Sequence, residues 1–238
     1  PSLDAIFKAY DVRGTVPEQL DVELARAIGV GFATFALEDA AARSGSVSRV
    51  LVARDMRPSG VALTEAFAQG VRSQGLDVVD LGLGSTDLLY FASGSMDAPG
   101  AMFTASHNPA QYNGAKFCMA GARPVGEDTG LGRILEVGNA SLAGSVAPSG
   151  TEGSLEHTDV LDAFAAHVRS FVDVAALRPL KVVADTANGM GGLVVPAVFS
   201  ELPFDLEIMY GELDGTFQNH PADPIQPANT EDLRERVV

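Results

Sequence analysis

The order of apolar segments along the chain is the feature that most restricts its fold. Short apolar runs at 50–53, 76–81 and 101–104 alternate with longer segments, such as 18–42, in which apolar residues recur every three or four positions. The short runs are typical of buried strands, and the longer spacing is typical of amphipathic helices. The alternation therefore predicts an α/β protein in which helices cover a mixed, mainly parallel sheet.

The same alternation predicts two modules. A segment rich in Gly, Ser and Ala precedes residue 150, so we expect the first module at 1–150 and the second at 151–238. In the second module, strands are predicted at 181–185 and 206–209. We expect two layered α/β/α modules, the second of them incomplete, because the chain stops one or two turns into a helix that begins near Thr230.

Charge and composition exclude several classes of protein. The chain has 16 basic and 31 acidic residues, a formal net charge of −15. It should repel nucleic acid and anionic lipid, although a few basic residues can still form a pocket for a small anion. The one cysteine, Cys118, excludes an intrachain disulfide framework and a multi-cysteine metal site. No signal-peptide pattern and no apolar run near ~18 residues is present, so we expect a cytoplasmic protein; the oligomeric state is not indicated.

The strongest candidate for chemistry is the segment 104–109, Thr-Ala-Ser-His-Asn-Pro, together with 112–116, Tyr-Asn-Gly-Ala-Lys. It follows a predicted strand, where α/β sheets bind ligands. Ser106 suits a nucleophile or phosphate carrier, and His107 and Lys116 can supply protons or positive charge. The alternative is a capped turn, because these are also ordinary turn residues. A Ser-His-Asp hydrolase is disfavoured, since no G-x-S-x-G surrounds the serine.

Two further segments carry arginines. In the segment 10–14, Arg13 precedes a glycine and is suited to present a guanidinium to an anion. Arg54 and Arg57 follow a predicted strand and precede a helix that Ser59 would cap, which predicts phosphate binding. The alternatives are a salt-bridged surface turn for the first segment and pairing with Asp55 for the second.

Two glycine- or proline-rich segments of the second module are predicted to be structural. The stretch 188–192, Asn-Gly-Met-Gly-Gly, does not match G-x-G-x-x-G and is expected to form a tight turn. The stretch 211–229 contains Asp214, His220 and Asp223, which have metal-ligand chemistry. Their spacing matches no known site, so a loop is expected.

Taken together, these segments resemble the α-D-phosphohexomutases, in particular the phosphomannomutase/phosphoglucomutase branch. The resembling segments follow the family's order and cover nearly the whole chain, at 8–14, 54–59, 104–116, 183–189 and 214–220. The resemblance implies that a phosphoserine at Ser106 moves phosphate reversibly between C6 and C1 of a hexose phosphate, through a bisphosphorylated sugar. It also implies catalytic roles for Ser106, His107, Lys116 and Arg13, and substrate binding by Tyr10, Arg13, Arg54 and Asn108.

The resemblance covers the N-terminal half of a family member. It implies Mg²⁺ held by the Ser106 phosphate and three Asp of an Asp-Gly-Asp-x-Asp-Arg loop, which is absent from this sequence. We therefore expect the metal in the full-length enzyme and expect this chain alone to be inactive. A phosphoglucosamine mutase is an alternative, weakly disfavoured by Thr104, where those enzymes usually have Ser. A catalytically silent sugar-phosphate-binding protein of the same fold is another, and the preferred hexose cannot be read from these residues.

Overall fold

The computed structural model describes residues 2–237. The helices are α1 (Leu3–Ile6), α2 (Val22–Ala42), α3 (Gly60–Ser73), α4 (Thr86–Met96), α5 (Leu131–Leu142), α6 (Leu161–Arg169), α7 (Gly191–Phe199) and α8 (Glu231–Val237). The strands are β1 (Val12–Thr15), β2 (Arg49–Arg54), β3 (Asp77–Leu83), β4 (Gly100–Phe103), β5 (Tyr112–Met119), β6 (Arg123–Pro124), β7 (Leu155–His157), β8 (Leu180–Asp185) and β9 (Phe204–Met209). Among these residues no helix is long and apolar enough to cross a bilayer.

The first sheet contains seven strands in the order β1-β5-β4-β2-β3-β7, with β6 beside β5. Its centre is parallel, because β2 pairs with β3 and β4, and β3 pairs with β7. Its other side is antiparallel, because β5 runs against both β1 and β4. This mixed sheet, with helices between the strands, confirms the predicted α/β class.

Helices cover both faces of this sheet. On one face, α2 and α3 contribute Phe32 and Phe67, which pack with Phe117 and Phe103 of the sheet. The Phe32 and Phe117 rings stack with centroids 4.9 Å apart. On the other face, α4 packs on the sheet and forms a second apolar cluster with it. This second cluster includes Phe164 of α6. The second module therefore packs on the first through a shared apolar layer.

The second module has a two-stranded parallel sheet. Strands β8 and β9 pair from Leu180 opposite Phe204 to Asp185 opposite Met209, with α7 between them in the chain. The expected boundary near residue 150 stays a prediction. The first sheet continues past that point, because β7 at Leu155–His157 pairs with β3.

Two predicted helix starts differ in detail. Ser59 precedes α3, but its side chain does not cap the helix. Its Oγ instead accepts a hydrogen bond from Asn113 Nδ2 at 2.9 Å, which joins the start of α3 to β5. The helix predicted from residue 18 begins at Val22, where Asp21 caps it by accepting the Leu24 N–H at 2.9 Å.

The topology brings several loops to one edge of the first sheet. Parallel strands β2 and β4 end at the same edge, so the loops that follow them, at 55–59 and 104–111, are neighbours. Strand β5 begins at this edge, and β1 ends beside it with Thr15 opposite Tyr112. The second module adds its loop at 211–220, where Gly215 lies against Arg57.

Candidate active site

Ser106 lies in a tight turn just after β4. Its φ is +53°, a left-handed conformation that is uncommon for a residue with a side chain. Its N–H donates to Thr104 Oγ1 at 2.9 Å, and Asn108 closes the turn by donating its N–H and its Nδ2 to the Ala105 carbonyl. Ser106 and His107 are exposed, with 3.4 Å between Ser106 Oγ and His107 Nδ1. The turn presents the serine hydroxyl to solvent beside an imidazole.

The Ser106 turn is held by Arg57, whose side chain is fully buried. Its guanidinium donates from Nε to Asp55 and from its two terminal nitrogens to four backbone carbonyls, those of Ser106, Asn108, Pro109 and Tyr112. These four hydrogen bonds are 2.7 to 2.9 Å long. Burial lowers the pKa of Arg57, and the Asp55 charge opposes that shift. The guanidinium therefore fixes the path of the loop from behind.

Asp55 extends this network to the backbone of Ser106. One carboxylate oxygen accepts the Arg57 backbone N–H at 3.0 Å. The other accepts Arg57 Nε at 3.2 Å and the Thr104 hydroxyl at 2.7 Å, and that hydroxyl in turn accepts the Ser106 N–H. We term Asp55, Arg57, Thr104 and Ser106 the loop network. Its buried charges are balanced, as a stable buried ion pair requires.

The phosphate role predicted for Arg57 is wrong. All of its guanidinium N–H groups are engaged inside the protein, so it has none left for a ligand. The alternative interpretation, pairing with Asp55, is the one that the structure shows. Sequence reasoning missed this positioning role. The only local signal for it was Asp55, two residues before Arg57 and directly after a buried strand.

Arg54 differs from Arg57 although both follow β2. It is partly exposed, and no hydrogen bond or ion pair engages its guanidinium within residues 2–237. Its side-chain stem lies beside Gly60 at the first turn of α3. Arg54 pairs with Phe103 at the end of β4, next to the loop that carries Ser106. Its substrate-binding role stays a prediction.

Arg13 and Lys116 come together at one carboxylate. Lys116 Nζ lies 3.2 Å from one oxygen of Asp11, and an Arg13 terminal nitrogen lies 3.3 Å from the other. Arg13 Nε is buried, and no acceptor for it is present within residues 2–237. We term Arg13 and Lys116 the basic pair. Because the two cations share the single Asp11 carboxylate, the three residues together carry a net positive charge.

Strand pairing places the basic pair next to the Ser106 loop. Arg13 lies directly opposite Gly114, and Lys116 is two residues further along β5, so both project from the same face of the sheet. Thr104, at the start of the loop, donates its N–H to the Gly114 carbonyl at 3.1 Å. A Cβ on Gly114 would lie 1.9 Å from the Val12 carbonyl, so a glycine permits this close approach of β1.

The remaining predicted binding residues are less engaged. Tyr10 is 80% exposed, and its ring lies near Gly126 rather than in contact with the basic pair. Asn108 uses its side-chain Nδ2 within the turn, as described above. The structure thus groups Ser106 and His107 in one turn with Asn108, and groups the basic pair separately beside it. The roles assigned to these residues stay predictions.

The glycine-rich segment of the second module forms the predicted tight turn, with one difference. The left-handed positions are Ala187, at φ +48°, and Asn188, at φ +59°, rather than its glycines. Asn188 is buried and donates from Nδ2 to the Glu212 carbonyl at 3.0 Å. Its side chain therefore ties this turn to the loop at 211–220, which explains why an asparagine occupies the strained position.

The residues with metal-ligand chemistry in the second module do not form a metal site. His220 Nε2 lies 2.9 Å from Asp185 Oδ2, and the other ring nitrogen lies 2.9 Å from the Pro221 carbonyl. Within residues 2–237 no group of three or more His, Cys, Asp or Glu side chains could hold a metal ion. These residues therefore do not fit a Mg²⁺ site by themselves.

The fold and the site define a pair of α/β domains, the first with an exposed serine on a strand-end loop beside a basic pair. Residues 4–136 match the family model described as phosphoglucomutase/phosphomannomutase, alpha/beta/alpha domain I, and residues 162–238 match the model of alpha/beta/alpha domain II. The chain belongs to the phosphoglucomutase/phosphomannomutase family. The predicted resemblance is thereby confirmed.

Similar proteins agree with this assignment. The chain is 40% identical over 232 residues to a protein of Xanthomonas campestris named "Phosphohexose mutases", covering 97% of this chain and 49% of that one. It is 36% identical to a phosphomannomutase/phosphoglucomutase of Pseudomonas aeruginosa, covering 100% and 48%. A solved structure of a phosphoglucomutase/phosphomannomutase family protein from Burkholderia thailandensis matches with a TM-score of 0.83 at 33% identity, over 100% of this chain and 50% of that chain. The chain thus spans about half the length of these relatives.

Proposed function

We propose that the protein to which these residues belong is a phosphomannomutase/phosphoglucomutase. It would move phosphate between C6 and C1 of a hexose phosphate through phosphoserine 106 and a bisphosphorylated sugar. The observation that carries the proposal is the exposed Ser106 hydroxyl in a left-handed turn, held from behind by the loop network and flanked by the basic pair. Phosphoryl transfer depends mainly on positioning and on charge stabilisation, which this arrangement provides.

Each side chain of the site has a proposed role. A phosphate on Ser106 would bring about −1.5 to −2 charges, which Lys116, Arg13 and Arg54 together would balance. The Arg13 side chain is 36% exposed, which supports contact of its guanidinium with a phosphoryl oxygen. The His107 ring beside Ser106 would hold or protonate an oxygen during transfer. Tyr10, Arg54 and Asn108 are proposed to contact the sugar phosphate.

Part of the proposed mechanism depends on residues outside this chain. Mg²⁺ would need carboxylates from beyond residues 2–237, and only a phosphate on Ser106 would reach it from here. We propose that residues 1–238 alone do not catalyse the reaction, because binding energy from the far end of the sugar phosphate is needed to position the reacting end. The partners are proposed to be small hexose phosphates rather than nucleic acid or membranes, as the net charge of −15 favours.

The phosphorylation state of Ser106 tests this proposal directly. The full-length protein purified from cells should carry one phosphate on Ser106, found by intact mass and peptide mapping. It should lose that phosphate to glucose 1-phosphate and regain it from glucose 1,6-bisphosphate. A serine that carries no phosphate and exchanges none would support the silent sugar-phosphate-binding protein instead. Faster turnover of glucosamine phosphates than of glucose or mannose phosphates would support the phosphoglucosamine mutase.

Lys116 offers a second test. Lys116→Met removes one charge of the basic pair, and we expect a loss of turnover of ~10²-fold, in the range that charge-stabilising groups give. Ser106 should remain phosphorylatable, because its hydroxyl is intact. The matched control is Lys181→Met, the same change on an exposed residue of β8. Equal turnover in the two variants would exclude Lys116 from the reaction.

A further inference from the structure

We infer that the second module positions the Ser106 loop, through a contact between Phe217 and Arg57. Phe217 is thus a positioning residue that acts on the serine without touching it. The effect on turnover rests on the proposed function. The effect on the order of the loop does not, and it can be measured separately.

The contact uses the part of Arg57 that its hydrogen bonds leave available. The guanidinium donates all its N–H groups in its own plane, so its faces are available for stacking. The Arg57 Cζ lies over the Phe217 ring, 5.1 Å from the ring centroid. This distance is within the range of a cation–π interaction. The ring therefore limits rotation of the guanidinium out of the plane in which it holds the loop.

A second contact, next to the first, brings the backbone of the second module at Gly215 close to the backbone at Arg57 and Pro58. Gly215 is buried, and a Cβ on it would lie 2.6 Å from Arg57 Cα and 2.8 Å from Pro58 Cδ. Both neighbours belong to rigid parts of the chain, so only a glycine allows the loop of the second module to approach this closely. The module is therefore seated directly on the residue that holds the Ser106 turn.

The loop that carries Phe217 is built to present its ring. Asp214 accepts hydrogen bonds from the Thr216 N–H and hydroxyl at 2.8 Å each, and its carbonyl accepts the Phe217 N–H at 3.0 Å. Phe217 itself has φ +55°, an unfavourable conformation for a bulky residue. Such strain persists only where the surroundings hold it, and it occurs often at functional sites. Ser106, at the other end of this chain of contacts, shares the left-handed conformation.

These contacts link the two modules in a definite order. Phe217 covers Arg57, Arg57 holds the carbonyls of the loop, and the loop sets the direction of Ser106 Oγ. Removing the ring should leave the hydrogen bonds of Arg57 possible but less restricted. The Ser106 turn should then open more often, and fewer enzyme molecules should have the hydroxyl aligned for in-line transfer.

Phe217→Leu in the full-length protein is the test, because it removes the aromatic face and keeps an apolar side chain. We expect hydrogen exchange of the Ser106, Asn108 and Tyr112 amides to rise at least 5-fold. With glucose 1-phosphate, kcat should fall 5- to 20-fold, and KM should stay within 2-fold. Phe217→Tyr keeps the ring face and should restore both the exchange rates and kcat.

The matched control is Phe204→Leu, the same change on β9 of the second module. Phe204 packs against Phe199, with 5.8 Å between ring centroids, and so reports general loosening of the module. If Phe217→Leu matches Phe204→Leu in loop exchange, the inference is overturned, whatever happens to turnover. If exchange rises while kcat stays at the wild-type value, the link between loop order and transfer is overturned. Failure of the proposed function would appear elsewhere, as a Ser106 that carries and exchanges no phosphate, or as more than about a tenth of wild-type turnover in Ser106→Ala.

Discussion

Replacing Ser106 by Ala in the full-length protein should reduce mutase turnover by at least three orders of magnitude, with almost no change in melting temperature. In the proposed mechanism the Ser106 hydroxyl oxygen is the atom that is esterified, so its removal would eliminate the covalent route. The cost to folding should be small, ~1 kcal/mol at most for one lost hydrogen bond. Ser106 Oγ has a single long contact, 3.4 Å to His107 Nδ1, and the turn is held through the backbone N–H and carbonyl.

The melting temperature and the rate should be measured side by side, with Ser200→Ala as the control. Ser200 is an exposed serine at the end of α7 whose hydroxyl makes one hydrogen bond, to the Ala197 carbonyl at 3.0 Å. Ser200→Ala therefore removes the same hydroxyl group at a position far from the Ser106 turn. If Ser106→Ala keeps more than about a tenth of wild-type turnover, a barrier change under ~1.4 kcal/mol, the phosphoserine mechanism is wrong. A capped turn without chemistry predicts reduced stability and normal turnover per folded molecule.

Arg57→Met should cost ~3–5 kcal/mol of the free energy of unfolding, the range found when one partner of a buried ion pair is removed. The Asp55 carboxylate would stay buried without its cation, and four loop carbonyls would lose their donor. Methionine has a similar length and fills much of the same space, so a cavity contributes little to the expected loss.

Denaturant unfolding at neutral pH measures this cost, and Arg43→Met is the control. Arg43 also pairs with an aspartate, Asp39, but its side chain is 60% exposed, so its loss should cost under ~1 kcal/mol. Adding Asp55→Asn to Arg57→Met removes the stranded charge and should recover part of the stability. Equal unfolding free energies for Arg57→Met and Arg43→Met would show that the loop network does not hold the Ser106 turn.

Local patterns along the chain predicted the layers and the serine turn, because each depends on a few consecutive residues. The strands near 50 and 101 and the turn at Ser106 are examples. Local patterns could not predict which of the two arginines after β2, Arg54 or Arg57, would be buried. Arg57 is buried because carbonyls 49 to 55 residues away converge on it. Within its own segment, only Asp55, two residues before it, distinguishes it from Arg54. The same limit applies to Phe217, which meets Arg57 only in the folded chain.

The pairing of β1 with β5 has a consequence for the order of events during synthesis. Lys116 of the basic pair contacts Asp11, and these two residues are 105 positions apart in the chain. A nascent chain therefore carries Arg13 long before the ribosome has added its partner lysine, and closing so long a loop has an entropic cost. The basic pair can come together only after β5 has emerged from the ribosome and β1 has paired with it. An unfinished first domain would consequently lack the assembled cluster of Arg13, Lys116 and Asp11.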